Sequence, residues 1–160
     1  MSRTQIEALQ DQLAQARAHL LDALSRVGDR VDAQIYSEGA QWTVRQLAIH
    51  LMIADQGHNN MIFAAARGEN IIPEDYDLER FNRRSVEKAA EVSLEQAIER
   101  MSESRRALLE WLADKDDSVL AHEGRHASLH MMTIAQMMGV MVGHERGHAD
   151  DILRFLGAAS

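Results

Sequence analysis

The sequence predicts an all-α protein built as a four-helix bundle, and three observations support this class. Apolar residues recur at steps of three or four in several long segments. The 160 residues include a single proline, and aromatic residues make up only 4%. Three capping boxes mark helix starts: Thr43 with Gln46, Ser93 with Gln96, and Thr133 with Gln136. Four of the periodic segments are long, and a bundle is the simplest way to bury their apolar faces.

The elements follow in order along one domain, residues 1–160. Helical periodicity covers residues 4–27, 44–67, 77–90, 94–113 and 133–157. The third and fourth segments are either continuous or separated by a kink near Val92. Between Asp114 and Met132, a turn signal at Glu123 and Gly124 with short flanks predicts a small hairpin before the last helix.

Composition and charge limit the classes of function. The chain carries a formal net charge of −8 at pH 7 and no cysteine. A net negative protein is repelled by the phosphate backbone, so nucleic-acid binding is not expected. The absence of cysteine excludes thiol nucleophiles and cysteine zinc sites.

No apolar run approaches the roughly 20 residues of a membrane span, and residues 1–13 lack the apolar core of a signal peptide. We therefore expect a cytoplasmic protein that does not bind membranes.

Three histidines lie on inward helical faces at positions from which they could share a metal ion. The apolar stripe of the last helix continues through His144 and His148, and side chains four residues apart can reach a common ion. His50 lies on the inward face of the second helix, and antiparallel packing would bring it to the same end of the bundle. Three nitrogen ligands suit Zn, Ni, Cu or Fe better than Mg or Ca. For each histidine, a hydrogen-bonded core imidazole is the alternative.

The residues around these histidines supply further candidates. HERGH, residues 144–148, matches the H-E-x-x-H pattern of zinc metalloproteases, which makes Glu145 a candidate base. It lies about 100° round the helix from His144, which argues against that role. Asp151 and Asp55 are candidates to orient the imidazoles, and solvated surface charges are the alternative. His58 is expected to pack or to make a polar contact.

The other histidines and two groups of arginines are placed off the inward helical faces. His19 is expected to be partly exposed, and a second set of histidines falls in the loop before the last helix: His122, His126 and His130. The arginine groups are interleaved with acidic residues and are expected to form solvated helix faces: Arg80, Arg83 and Arg84, and Arg105 and Arg106.

Two phrases of the sequence carry a resemblance to a known family. WTVRQLAIHLMIAD, residues 42–55, followed by HERGHADDILRFLG, residues 144–157, resembles the DinB-like or YfiT-like superfamily of metalloenzymes. Asn82 lies where many members also have an asparagine. The resemblance implies an up-down-down-up four-helix bundle, a homodimer in many members, and a divalent metal, often nickel or zinc, at His50, His144 and His148. The chain departs from the pattern at Gly147, where members often have a second histidine.

The resemblance also implies a class of activity. Characterised relatives include thiol transferases that use bacillithiol and mycothiol-dependent maleylpyruvate isomerases. We therefore expect a metal-dependent enzyme acting on a small molecule, either a hydrolase or a transferase with a low-molecular-weight thiol as cosubstrate. The alternative is a non-catalytic homodimeric bundle that binds metal for sensing or stability, or binds none. Met132 and Met138 lie off the inward stripe and are candidates for a subunit contact.

Overall fold

Five α-helices and one β-hairpin make up the protein in the computed structural model, which describes residues 1–36 and 38–158. The helices are α1 (Thr4–Ser25), α2 (Val44–Ala66), α3 (Leu78–Lys88), α4 (Leu94–Leu112) and α5 (Ile134–Ala158). The hairpin strands are β1 (Glu123–Arg125) and β2 (Met131–Thr133), and short 3₁₀ helices span Gly28–Asp32 and Asp117–Ala121. The predicted helical class is confirmed, with α1, α2, α4 and α5 as the four long helices.

The three predicted capping boxes start α2, α4 and α5. Thr43 and Ser93 each accept a hydrogen bond from the backbone of a glutamine three residues on, and that glutamine side chain accepts one in return. Thr133 and Gln136 repeat the arrangement, with distances of 2.8 and 3.1 Å. Each box satisfies two amide groups that have no partner within the helix.

Contacts between the long helices establish an up-down-down-up order. α1 and α5 run parallel, since Arg17 contacts Glu145 and His19 contacts Asp150. α2 and α4 also run parallel: the Arg45 guanidinium, near the start of α2, donates to the carbonyl of Val92, which lies just before α4. α2 and α5 are antiparallel, because His50 near the start of α2 meets His144 near the middle of α5, whereas Gly124 lies against both Ala65 near the end of α2 and Met137 near the start of α5.

This order requires a long connection between α2 and α4. Two adjacent parallel helices can be joined only if the chain returns along the bundle, and residues 67–93 make that return. α3 lies within the connection and buries only Val86 of its own residues. The connection therefore lies across the outside of the bundle, where six of its residues, Phe81 and Asn82 among them, line a cavity described below.

The hairpin is present, but its turn is not at Glu123 and Gly124 as predicted. Both residues are in β1, and Gly124 pairs with Met132. A Cβ atom at Gly124 would lie 3.0 Å from the Cβ of Ala65, so a side chain here would crowd α2, and glycine avoids this contact. The turn spans His126 to His130 instead, closed by a hydrogen bond from the amide of Leu129 to the carbonyl of His126.

A cluster of four charged side chains, three buried and one partly buried, joins the long helices. Arg17 of α1 and Arg105 of α4 contact the carboxylates of Asp55 of α2 and Glu145 of α5, at distances from 2.6 to 3.5 Å. The prediction that Arg105 belongs to a solvated face was therefore wrong. The formal charges of the four side chains sum to zero, which is how buried charges are normally tolerated.

The two methionines proposed for a subunit contact differ in burial. Met138, a candidate for a subunit contact, is fully buried in the core of the monomer, so that prediction was wrong. Met132 is partly buried. Within residues 1–36 and 38–158, no helix combines the length and apolar character needed to cross a membrane.

Replacing Arg105 with methionine should destabilise the fold strongly. The substitution leaves two buried carboxylates with only Arg17 as a cationic partner, and breaking a buried ion pair in this way costs about 3 kcal/mol. Arg106→Met is the matched control because Arg106 is exposed on the same helix, and it should change the free energy of unfolding by less than about 0.5 kcal/mol. Urea denaturation measures both variants. Equal effects would show that the cluster does not stabilise the bundle.

Candidate metal centre

Three imidazoles from two helices meet inside the bundle. One nitrogen from each of His50, His144 and His148 lies within 4.8 Å of the other two. The Nε2 atoms of His50 and His144 are 3.0 Å apart. Two nitrogen ligands of a tetrahedral zinc ion are separated by roughly 3.3 Å, so this spacing is close to that of a metal site. The antiparallel contact of α2 and α5 produces the arrangement, as expected from the sequence.

Burial keeps these imidazoles neutral. It lowers the pKa of His50 to about 3 and that of His144 to about 2, and the neighbouring histidines lower both pKa values further. Burial also lowers the pKa of His148, although Asp151 opposes the shift. A metal ligand must present a lone pair, so neutral histidines are in the form that binds an ion.

Tyr36 sets the tautomer of His148. The Tyr36 hydroxyl donates its hydrogen to Asp151 at 2.5 Å, and its oxygen lies 2.8 Å from Nδ1 of His148. Because that hydrogen is already used, Nδ1 of His148 donates to the tyrosine oxygen. Nε2 of His148 is then left with a free lone pair. Asp151 thus orients the imidazole through Tyr36, the kind of outer partner that commonly supports a histidine ligand. Sequence reasoning proposed Asp151 but missed Tyr36.

Trp42 fixes the orientation of the His50 ring. Its indole lies against the imidazole with ring centroids 4.6 Å apart and an angle of 34° between the planes. Trp42 directly precedes Thr43, the residue that caps α2. The start of α2 therefore supplies both the ligand and the aromatic surface on which the ligand rests.

Two of the acidic residues proposed from the sequence, Glu145 and Asp55, belong to the charged cluster. Glu145 is buried, and its carboxylate contacts Arg17 and Arg105. Asp55 contacts the same two arginines. Both carboxylates are thus engaged by cations in the charged cluster. We therefore do not assign Glu145 as a base or Asp55 as a residue that orients the imidazoles.

A cavity of about 440 Å³ opens next to His50 and His144. Its walls come from α2, α3, the hairpin and the segments beside them. They are mostly apolar and include Ile53, Ile72 and Phe81. Polar groups are contributed by Asn60, Tyr76 and Asn82, together with a second histidine pair described next. The volume and lining are typical of a site for a small organic molecule.

His58 and His126 form that second pair. Their Nε2 atoms are 2.9 Å apart, and both residues are buried. The expected polar contact of His58 is present, since its Nδ1 also lies 2.8 Å from the carbonyl oxygen of Ala54. His126 lies in the loop between the two strands, as predicted, but its side chain is buried, which the sequence did not predict. It lies between Arg125 and Ala127 in an irregular turn, where no periodicity indicates which side chains point inward.

Without metal, the protein should lose stability as the pH falls from 7.5 to 5.5. Burial lowers the pKa of His126 to about 4, whereas an unfolded histidine titrates near 6.5. Between these values the unfolded state binds more protons than the folded state, so stability present above pH 6.5 is lost on acidification. His126→Gln should reduce this loss by about 1 kcal/mol, as measured by urea unfolding at both pH values. The exposed His122→Gln should leave the loss unchanged, and equal stability of the unmodified protein at both pH values would contradict the prediction.

Solved structures of several proteins share this fold. YfiT from Bacillus subtilis, described as a probable metal-dependent hydrolase with an unusual four-helix bundle topology, matches with a TM-score of 0.76 and 19% identity, over 97% of this chain and 87% of its own. The mycothiol-dependent maleylpyruvate isomerase matches with a TM-score of 0.72 and 14% identity, over 91% of this chain and 60% of its own. An uncharacterised protein from Escherichia coli UTI89 also reaches 0.72 at 14% identity, over 94% of this chain and 92% of its own.

Family membership follows from the sequence itself. No curated protein sequence matches the chain significantly. A family model described as the DinB superfamily matches residues 12–152, a span that contains His50, His144 and His148. The resemblance seen in the sequence is thereby confirmed, and the chain belongs to the DinB superfamily.

Proposed function

We propose that the protein is a metal-dependent enzyme that acts on a small organic molecule in the cavity beside the three histidines. The observation that carries this proposal is that three imidazoles from α2 and α5, one buried and two partly buried, meet with their nitrogens within 4.8 Å. His50, His144 and His148 are the proposed ligands. The fixed tautomer of His148 supports this assignment, because it directs the Nε2 lone pair away from Tyr36.

The donor set favours a transition metal, with zinc or nickel as our proposal. Imidazole nitrogen suits zinc, nickel, copper and iron, whereas magnesium and calcium prefer oxygen. Three protein ligands leave room for a further ligand, as in catalytic rather than structural sites. When bound, such an ion lowers the pKa of a coordinated water or thiol towards neutrality and so supplies a nucleophile.

The remaining residues bind and orient the substrate. Apolar walls exclude water and hold an apolar body, while Asn60, Tyr76 and Asn82 offer hydrogen bonds. Among the described residues, no aspartate, glutamate, lysine or arginine lines the cavity. The polar chemistry of the cavity therefore falls to histidines, amides and one phenol.

Two reaction classes fit this site. Hydrolysis would use water as the nucleophile, as the description of YfiT suggests for that protein. Transfer to a low-molecular-weight thiol is the second class, and the structural similarity to a protein described as a mycothiol-dependent isomerase supports this proposal. The chain has no cysteine, so a thiol would have to be a cosubstrate.

The alternative is a bundle that binds metal without catalysis, for sensing or stability, and acts as a homodimer. The burial of Met138 removes one argument for a subunit contact, so the homodimer rests on the family resemblance. Metal removal separates the two proposals, because a structural ion contributes a large share of the folding energy. Loss of metal with little change in melting temperature favours the enzyme.

The variant with all three ligands replaced by alanine should retain no stoichiometric metal. Removing three imidazoles removes the donor set, so metal content after purification and dialysis should fall from about one ion per chain to near zero. His122→Ala, at an exposed position, is the control. Metal-loaded protein should turn over esters in water or electrophiles with an added thiol, and the triple variant should not. Unchanged metal content in the triple variant would overturn the assignment.

Tyr36→Phe should weaken metal binding 10- to 100-fold by losing the group that orients His148. The substitution removes one hydroxyl and keeps the ring, so the fold should be retained. Tyr76→Phe is the matched control, since the Tyr76 ring packs against Phe81 in the wall of the cavity. Competition against a chelator of known affinity measures both. Equal affinities for Tyr36→Phe and the unmodified protein would show that the tyrosine does not set the tautomer.

A further inference from the structure

The histidine pair inside the cavity has no role in the proposed metal chemistry. His58 lies on α2, two turns beyond His50, and His126 lies at the entrance to the hairpin turn. The pair is 2.9 Å apart between Nε2 atoms, with exposed fractions of 8% and 6%. Both residues line the cavity that also touches His50 and His144.

The hydrogen-bond partners define the tautomer of each ring. A carbonyl oxygen can only accept, so Nδ1 of His58 carries a hydrogen and donates to Ala54. The amide of Ser128 donates to Nδ1 of His126 at 3.0 Å, so that nitrogen carries a lone pair. Nε2 of neutral His126 therefore carries its hydrogen and donates to Nε2 of His58.

The hydrogen bonds of the hairpin turn hold His126 in this arrangement, at a cost in backbone strain. The turn from His126 to His130 places Leu129 at φ 74°, a left-handed conformation that costs a residue with a side chain about 1 kcal/mol. The same turn brings the amide of Ser128 onto the His126 ring. The local geometry thus places one donor and one acceptor, hydrogen-bonded to each other, in the cavity wall.

The surroundings exclude a charged partner for this pair. Burial lowers the pKa of both histidines, so both are neutral near pH 7. The described residues of the cavity wall include no acidic or basic side chain other than histidine. A charged group brought here would lose its hydration without gaining a counter-charge, which is costly in an apolar cavity.

We propose that His58 and His126 form a second polar subsite, which binds an uncharged hydroxyl or carboxamide group at the end of the substrate remote from the metal ligands. Once the two rings separate from their 2.9 Å contact, a hydroxyl group can accept from Nε2–H of His126 and donate to Nε2 of His58, which replaces the bond between them without leaving a buried group unpaired. His58 follows His50 by eight residues, about 12 Å along the helix. The subsite therefore selects an elongated, mainly apolar and neutral substrate.

This inference rests on the proposed metal site and can be tested with synthetic probes. The probes are alkyl hydroxamic acids, which bind metal at one end, with chains of five to eight carbons that end in methyl, carboxamide or carboxylate. Calorimetry with zinc-loaded protein should give affinity for the best carboxamide probe about ten-fold above that of its methyl partner, the effect of one well-made hydrogen-bonded group. The carboxylate probe should bind more weakly than the carboxamide.

The decisive variant is His126→Leu, with His122→Leu as the exposed control. Loss of the carboxamide preference in His126→Leu, with the methyl probe still bound and zinc content unchanged, supports the subsite. Retained preference in His126→Leu, or equal binding of both probes to the unmodified protein, overturns it while leaving the metal site intact. Failure of every probe to bind zinc-loaded protein overturns it as well, whereas failure to load zinc overturns the proposed function.

Nitrogen NMR of the metal-free protein supplies a test that requires no variant. The geometry predicts hydrogen on Nε2 of His126 and on Nδ1 of His58, and addition of zinc should leave these two tautomers unchanged. The opposite tautomer at either ring, or coordination of zinc by either, would overturn the subsite.

Discussion

The antiparallel contact between α2 and α5 is the constraint on which the site depends. It brings His50 to His144 and His148 in a place where water is largely excluded. Three imidazoles this close cannot all carry charge, because mutual repulsion and lost hydration both oppose protonation. The bundle therefore holds them as neutral nitrogen donors, and the outer contacts of Tyr36 and Trp42 determine where those donors point.

The polar side chains of the core form two systems, the charged cluster and the histidines, which lie on different sides of the same helices. Adjacent residues of α5 belong to different systems: His144 faces His50, and Glu145 faces the arginines of the charged cluster. On α2, Asp55 joins the charged cluster while His58 faces the cavity. Successive helical residues differ in direction by about 100°, so one helix can serve both systems. The carboxylates stabilise the bundle, and the imidazoles are left for binding.

Much of the fold could be predicted from the sequence because the sequence features that indicate it are local or periodic. Capping boxes located the starts of α2, α4 and α5, and stripes at steps of three and four identified the inward faces. The grouping of His50, His144 and His148 needed only inward positions and antiparallel packing. Side-chain spacing on a helix constrains direction, so these inferences required no knowledge of distant contacts.

The errors and omissions involve contacts made across the fold. Tyr36 lies in an irregular segment, where no period indicates direction. The turn signal at Gly124 was misread because its glycine serves close approach to Ala65. Arg105 interrupts an apolar stripe, and that interruption was itself the available sign of a buried charge. Its partners come from three other helices, so no spacing within α4 could identify them.

The central claim is that a single ion is bound by three imidazoles at the junction of α2 and α5. X-ray absorption of protein loaded with one equivalent of zinc tests it most directly, because the outer atoms of coordinated imidazole rings give distinctive scattering. The account predicts about three imidazole nitrogens near 2.0 Å from the zinc ion, with one or two oxygen ligands completing the shell. A spectrum with oxygen ligands alone, or with a single imidazole, would contradict it.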